Sequence, residues 1–152
     1  MERIADSLDR ITVPNLTAAA LIELAKKELK LTYLDDELAY WDFFKDEHGK
    51  TYEVQVWNPG REVIPATEVR KHFKDGFVGN TPAFITWVIK HSPNGYHASI
   101  PPNDRLFVSG NHLDAPRFVC DDEDREINLY SDVRNMWGNY WFFVAFREFK
   151  NT

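Results

Sequence analysis

The sequence predicts an α+β fold, in which an N-terminal amphipathic helix and two short central helices pack on a mostly antiparallel sheet. Apolar residues follow a helical spacing near the N-terminus, and they alternate over several short segments farther along. The last third contains an aromatic run at 137–149, in which about half of the residues carry rings. A chain of 152 residues, 43% of them hydrophobic, is long enough for one well-filled core, so we expect a single domain over residues 1–152.

The N-terminal segment has the least regular pattern. Residues 1–13 carry mixed charge with apolar residues three and four positions apart, which fits a short helix or a loosely docked arm. Beyond Pro14, the apolar stripe of residues 16–30 predicts an amphipathic helix whose lysines lie near its C-terminal end, where the helix dipole favours cations. We expect this helix to cover one face of the sheet.

An acidic triplet and a predicted β-hairpin follow. Asp35, Asp36 and Glu37 are typical of a turn or of the first residues of a short helix. Residues 40–44 and 51–57 are rich in aromatic and β-branched side chains. The polar segment between them predicts a hairpin loop, so we expect these two segments to pair as antiparallel strands.

The register of this hairpin decides whether a metal site exists. In one register Asp42 lies opposite Glu53, and two like charges so placed repel unless a cation or a proton lies between them. The segment Glu53-Val54-Gln55 then resembles the acid-x-Gln strand of restriction-type nucleases, in which an aspartate on the preceding strand and this acid hold Mg²⁺ and the third residue positions the attacking water. The resemblance is confined to these positions, with Gln55 in place of the usual lysine. It implies a small Mg-dependent nuclease or hydrolase that uses Asp42, Glu53 and Gln55.

The other register removes this site. If Gly49 is the left-handed residue of a three-residue bulged loop, the pairing slips by one residue and Glu53 points to the opposite face. Asp42, Glu53 and Gln55 are then ordinary polar positions of a half-solvated hairpin, which is the interpretation that we favour. The sequence leaves both registers open.

Two short helices and two short strands are predicted in the middle of the chain. The apolar spacing predicts helices over 65–74 and 82–90, with Thr81 as the cap of the second helix. Turn residues then delimit two neighbouring strands at 96–100 and 105–109.

This region and its continuation hold the side chains that could bind metal or act as nucleophiles. His91, His97 and His112, with Asp114, match no compact metal motif, so we predict no metal site and no cofactor. Cys120 lies in an apolar segment, where a thiol is usually a small buried side chain. The sequence has no serine in a nucleophile elbow and no glycine-rich phosphate loop.

The C-terminal third predicts a hairpin and a central strand. Residues 116–120 and 126–130 flank Asp121–Asp124, which is typical of a hairpin with an acidic tip. In the aromatic run at 137–149, alternate residues are apolar on both faces, so we expect a strand that is covered on both sides at the centre of the sheet.

Charge narrows the classes of partner. A formal net charge of −6 and a pI near 5.3 argue against direct nucleic acid binding, because such binding needs lysine and arginine gathered on one face. No apolar run approaches the length of a membrane span, and a single cysteine excludes an internal disulfide framework. We therefore expect a cytoplasmic protein that does not act at a membrane. The oligomeric state stays open.

The function predicted first is a non-catalytic, acidic protein-binding module that acts on a basic protein partner. It is inhibitor-like, of the immunity, antitoxin or anti-defence type. Its candidate partner-binding residues are the acids of the two clusters: Asp35, Asp36, Glu37, Asp121, Asp122, Glu123 and Asp124. The alternatives are the Mg-dependent hydrolase described above and a small-ligand-binding domain whose pocket is lined by Trp57, Trp87 and Tyr96.

Overall fold

A computed structural model describes residues 2–40, 46–58, 60, 64–102, 107–109, 112–131, 136–138 and 140–150. The helices in these ranges are α1 (Ala18–Leu29), α2 (Ala66–His72) and α3 (Thr81–His91), and a short 3₁₀ helix covers Asp36–Tyr40. The strands are β1 (Glu2–Thr12), β2 (Tyr33–Leu34), β3 (Thr51–Asn58), β4 (Ile64–Pro65), β5 (Gly95–Ala98), β6 (Phe107–Ser109), β7 (His112–Cys120), β8 (Arg125–Ser131), β9 (Met136–Trp137) and β10 (Trp141–Glu148). Among the described residues, no helix is long and apolar enough to cross a membrane.

One sheet organises the fold. Its strand order is β1-β3-β10-β5-β7-β8-β2, and β6 pairs with β7 outside this path. Most neighbours are antiparallel, but β10 runs parallel to β5 and β2 runs parallel to β8. β4 and β9 form a separate two-stranded ladder. The fold is α+β, as predicted, and the sheet that was expected to be mostly antiparallel is mixed.

The aromatic run supplies the strand that divides the interior in two. Alternate residues of β10 enter different cores: Val144 and Phe146 lie in a first core with α1 and α3, and Trp141 and Phe143 lie in a second core with α2. Each of these four side chains is at most 2% exposed. The predicted strand covered on both sides is therefore confirmed, although it begins at Trp141 and the first residue of the run, Trp137, belongs to β9.

Local capping explains where two of the helices begin and end. The Thr17 hydroxyl accepts a hydrogen bond from the Ala20 backbone N–H at 3.1 Å, and α1 ends at Lys30, which has a left-handed backbone. At the start of α3 the cap is Asn80, whose side chain accepts from the Ala83 N–H at 3.0 Å. The predicted cap, Thr81, is instead the first helical residue.

The predicted helix or loosely docked arm at residues 1–13 is wrong, because β1 is a strand of the sheet. It pairs antiparallel with β3, from Glu2 opposite Asn58 to Thr12 opposite Thr51. The register shifts twice along this ladder. Each shift breaks the regular alternation that a sequence pattern needs, so the segment does not look like a strand.

The predicted hairpin between residues 40–44 and 51–57 is also wrong. β3 has β1 on one side and β10 on the other, and a strand has only two hydrogen-bonding edges. Tyr40 ends the 3₁₀ helix, and residues 41–45 lie outside the described residues. The strands predicted at 96–100 and 105–109 are present, within the described residues, as β5 and β6, which both pair with β7.

The hairpin predicted at the acidic tip is confirmed. β7 and β8 pair from Asp114 opposite Ser131 to Cys120 opposite Arg125, which leaves Asp121–Asp124 as the connecting loop. The Asp121 N–H donates to the Asp124 carbonyl at 2.9 Å and closes this loop. The tip is thus held at the end of a long regular ladder.

Candidate functional site

The parallel pairing of β2 and β8 brings the two acidic clusters to the same edge of the sheet. Tyr33 lies opposite Glu126, so Asp124, two residues earlier, is level with Leu31. At about 3.3 Å per residue, Asp124 and Asp35 are about 13 Å apart along the strand direction. We call this surface the acidic edge, and its members are Asp35, Asp36, Glu37, Asp121, Asp122, Glu123 and Asp124.

The hairpin tip of the acidic edge is ordered by one of its own carboxylates. Asp121 accepts hydrogen bonds from the backbone N–H groups of Asp124, at 2.7 Å, and Glu123, at 2.9 Å. These two bonds, Asp124 first, lower the pKa of Asp121 below its ordinary value. All four tip residues are exposed. The tip therefore presents its negative charge to solvent in a fixed backbone conformation.

The other end of the acidic edge is the start of the 3₁₀ helix. The Asp35 side chain accepts from the Glu37 N–H at 3.1 Å, as an N-terminal cap does. Asp36 and Glu37 are exposed, and Leu38 is fully buried in the first core. The buried leucine anchors the turn, so the exposed acids are carried on a fixed segment.

Thr32 and Arg125 join the two ends. The Thr32 hydroxyl accepts from the Arg125 backbone N–H at 3.0 Å and donates to its carbonyl at 3.1 Å. The Arg125 guanidinium donates to the Leu29 carbonyl at 3.2 Å, at the C-terminus of α1. This cation therefore stabilises the helix end, where the dipole is negative.

Two clefts share Thr32 in their linings, and the first of them extends along β2. The first, of about 400 Å³, lies between α1 and β2 and has Ile22, Leu31 and Leu34 in its lining with Glu23, Lys26 and Asp36. The second, of about 550 Å³, lies at the hairpin tip and has Lys30, Asn94 and Asp121–Arg125 in its lining. Thr32 lines both clefts. Tyr33, 52% exposed, lies beside this junction.

Glu53 and Gln55, predicted for the alternative metal site, are engaged by other side chains. The Glu53 carboxylate lies 2.6 Å from the Arg147 guanidinium, in a partly exposed ion pair. Gln55 is 8% exposed and accepts from the Trp57 indole N–H at 3.1 Å. Asp42 lies outside the described residues, so its part in the site stays a prediction. Within the part of the chain that the structure describes, no three His, Cys, Asp or Glu side chains could hold a metal ion together.

The structure does not bring together the three aromatic residues predicted to line a ligand pocket. Trp87 is 7% exposed in the first core, whereas Trp57 and Tyr96 pack against the second core. The two cores lie on opposite faces of the sheet. The sequence could not assign these faces, because the strands that carry Trp57 and Tyr96 have neighbours that are distant in the chain.

His97, which lies in β5, is a core residue. Its side chain is 7% exposed, and its ring centroid lies 5.4 Å from that of Trp87 and 5.3 Å from that of Phe142. Burial lowers the pKa of His97 to about 4, so the imidazole is neutral near pH 7. Cys120 is buried, as expected, with its Sγ 3.7 Å from the Asn94 side-chain oxygen.

Sequence inspection missed the clefts and the parallel β2–β8 contact. β2 has only two residues, and its partner strand lies some ninety positions later, so no local sequence pattern predicts the pairing. Comparison of the chain with protein-family models, with curated proteins and with solved structures finds no match. Function is therefore inferred from the side chains and their placement.

Proposed function

We propose that the protein is a non-catalytic binding module that holds a basic protein partner at its acidic edge. The observation that supports this most is the pairing of β2 with β8, which collects acids from two distant segments on one surface. Charge complementarity raises the rate of association and disfavours partners of the wrong charge. The net charge of the chain, −6, also attracts a basic partner at long range.

The composition of the surface fits a protein interface. Tyr33 is half-exposed between the two acidic clusters, and aromatic side chains are common anchors at the centre of interfaces. Leu38 and Ile127, which are at most 1% exposed, hold the segments beneath it. Binding to a surface fixed in this way has a smaller entropy cost than binding to a mobile loop.

An inhibitory role follows if the basic surface of the partner is its active or nucleic-acid-binding groove. Carboxylates placed on such a groove occupy the cationic groups that would otherwise meet phosphates. This is the mode of action expected of the immunity, antitoxin or anti-defence type. The engagement of Glu53 by Arg147 and of Gln55 by Trp57 favours this proposal over the hydrolase alternative.

The test is affinity capture from the native cell with the wild type and with a variant neutralised at the tip. The changes are Asp121→Asn, Asp122→Asn, Glu123→Gln and Asp124→Asn, which keep the side-chain oxygen that orders the loop. We expect the wild type to retain a basic protein, and we expect the dissociation constant to rise at least tenfold in the tip variant and with added salt.

A matched control variant neutralises four acids away from the acidic edge: Glu28, Glu68, Asp75 and Glu148. We expect it to bind nearly as well as the wild type, because net charge alone acts weakly at physiological ionic strength. If both variants lose affinity equally, the acidic edge is not the binding surface. The proposal itself would be contradicted by a captured partner that is acidic, or by one whose dissociation constant does not change with salt concentration.

A further inference from the structure

We propose that the partner contributes an extended segment that adds to the sheet along β2, with apolar side chains in its middle and basic side chains near both ends. This inference rests on the proposed function and specifies how the acidic edge is used. It joins three features of the described residues: an open sheet edge, the two clefts that meet at Thr32, and acidic residues at both ends of this edge.

The sheet edge at β2 has backbone groups available for a further strand. β2 is last in the strand order, with β8 as its one strand neighbour in the described part of the sheet. The Asp35 N–H, directly after β2, donates to the Ile127 carbonyl at 3.0 Å. Successive backbone groups of a strand point to opposite edges, so the N–H of Leu34, one residue before Asp35, points away from β8. Such an edge pairs readily with another extended chain.

The side chains around β2 offer an added strand an apolar surface. Leu34 packs against the first core on the side of α1, and the exposed Tyr33 lines the same cleft. An added strand places alternate side chains in the cleft beside Ile22 and Leu31 and over the exposed ring of Tyr33. Backbone pairing supplies affinity, and the cleft selects apolar side chains.

The charges set the length and the pattern of the segment. Asp124 is level with Leu31, and Asp36 lies five residues after Leu31 along the segment that contains β2. Five residues of strand span about 16 Å, so a segment of roughly six residues reaches from one acidic cluster to the other. Lys26 and Lys30 also line the clefts and disfavour a uniformly basic chain. The middle of the segment is therefore apolar, with lysine or arginine towards each end.

The first experiment selects the probe. A displayed library of random 12-residue peptides is selected on the immobilised full chain, and affinities of the enriched synthetic peptides are measured by calorimetry. We expect the enriched peptides to have β-branched or aromatic residues between basic ones. Amide hydrogen exchange is expected to slow at Leu34 when the peptide binds, since its backbone N–H gains a partner.

Two perturbations separate strand addition from general charge attraction. Ala19 is exposed and lines the first cleft, so Ala19→Trp fills it, whereas Lys27→Trp adds the same ring to α1 outside the cleft. We expect at least tenfold weaker binding for Ala19→Trp and less than a twofold change for Lys27→Trp. N-methylation of every second peptide amide is expected to abolish binding when the methylated amides are those that face β2. Methylation of the other amides is expected to be tolerated.

The outcomes distinguish this inference from the function on which it rests. Basic peptides that bind equally to both tryptophan variants and tolerate N-methylation in either register would overturn strand addition. The acidic edge would then still be the binding surface, provided that the tip variant loses the captured partner. Enrichment of acidic peptides would contradict both proposals. If Ala19→Trp fails to fold by circular dichroism, Ala19→Gln replaces it with the same expected direction.

Discussion

His97 makes the stability of this protein depend on pH in a defined direction. The imidazole is packed between Trp87 and Phe142, and its Nδ1 is buried without a hydrogen-bond partner among the described residues. Burial lowers its pKa from 6.5 to about 4 because the charged form loses its hydration. In the unfolded chain the same group takes up a proton near pH 6.5.

The unfolded state therefore binds more protons than the folded state between about pH 6.5 and pH 4. The free energy of unfolding falls as the pH drops through this range and levels off below it. A shift of about 2.5 pKa units corresponds to a total loss of about 3 kcal/mol, of which about 2 kcal/mol is lost by pH 5. Above pH 7 the group is neutral in both states and contributes no pH dependence.

The assay is urea unfolding of the wild type and of His97→Phe at pH values from 7.5 to 4.5. Other groups that titrate in this range are common to both proteins, so the difference between the two unfolding free energies isolates His97. We expect that difference to change by about 2 kcal/mol in favour of the variant between pH 7.5 and pH 5. Lys90→Gln, at an exposed residue of α3, is the control and should leave the wild-type pH dependence in place. A difference that stays constant within about 0.5 kcal/mol would refute the buried neutral state of His97.

Four further substitutions test the packing and the cap of α3. Gly79→Ala places a Cβ 2.1 Å from the backbone of Ile100, so the chain must shift. We expect the free energy of unfolding, measured in urea melts, to fall by at least about 2 kcal/mol. An unchanged urea midpoint would contradict this close approach. Phe143→Ala should lower the free energy of unfolding by about 3–5 kcal/mol, and Phe142→Ala, at a half-buried residue, should lower it less. Equal losses would show that the second core is not closed over Phe143. Asn80→Ala should cost about 1 kcal/mol through loss of the α3 cap, measured in the same way, and no loss would mean that water replaces the cap.

Elements whose signals are local could be located from the sequence. The stripe predicted at 16–30 contains α1, and the hairpin at the acidic tip has the loop that was expected, Asp121–Asp124. In both cases the residues that fix the structure are within a few positions of each other. Thr17 caps the helix that follows it, and Asp121 binds the backbone of its own loop. Such interactions depend little on the rest of the fold.

Elements that depend on distant partners could not be located in this way. β3 looked like one arm of a hairpin because an aromatic segment precedes it, yet its neighbours are β1 and β10, whose residues are tens of positions away. β1 looked like a helix because two register shifts disrupt its alternation. The acidic residues of the candidate site were identifiable by composition, but their common edge depends on the parallel pairing of β2 with β8.

The acidic edge combines a rigid support with unfavourable charge, and this combination favours a binding role over a structural one. Seven carboxylates on one edge repel each other, and surface charges add little to stability even when they are paired. The segments that carry them are nevertheless held by the buried Leu38 and Ile127 and by the hydrogen bonds between Thr32 and Arg125. Packing therefore maintains a surface on which like charges lie close together. The basic partner that we propose would relieve that repulsion on binding, and the relief would add to its affinity.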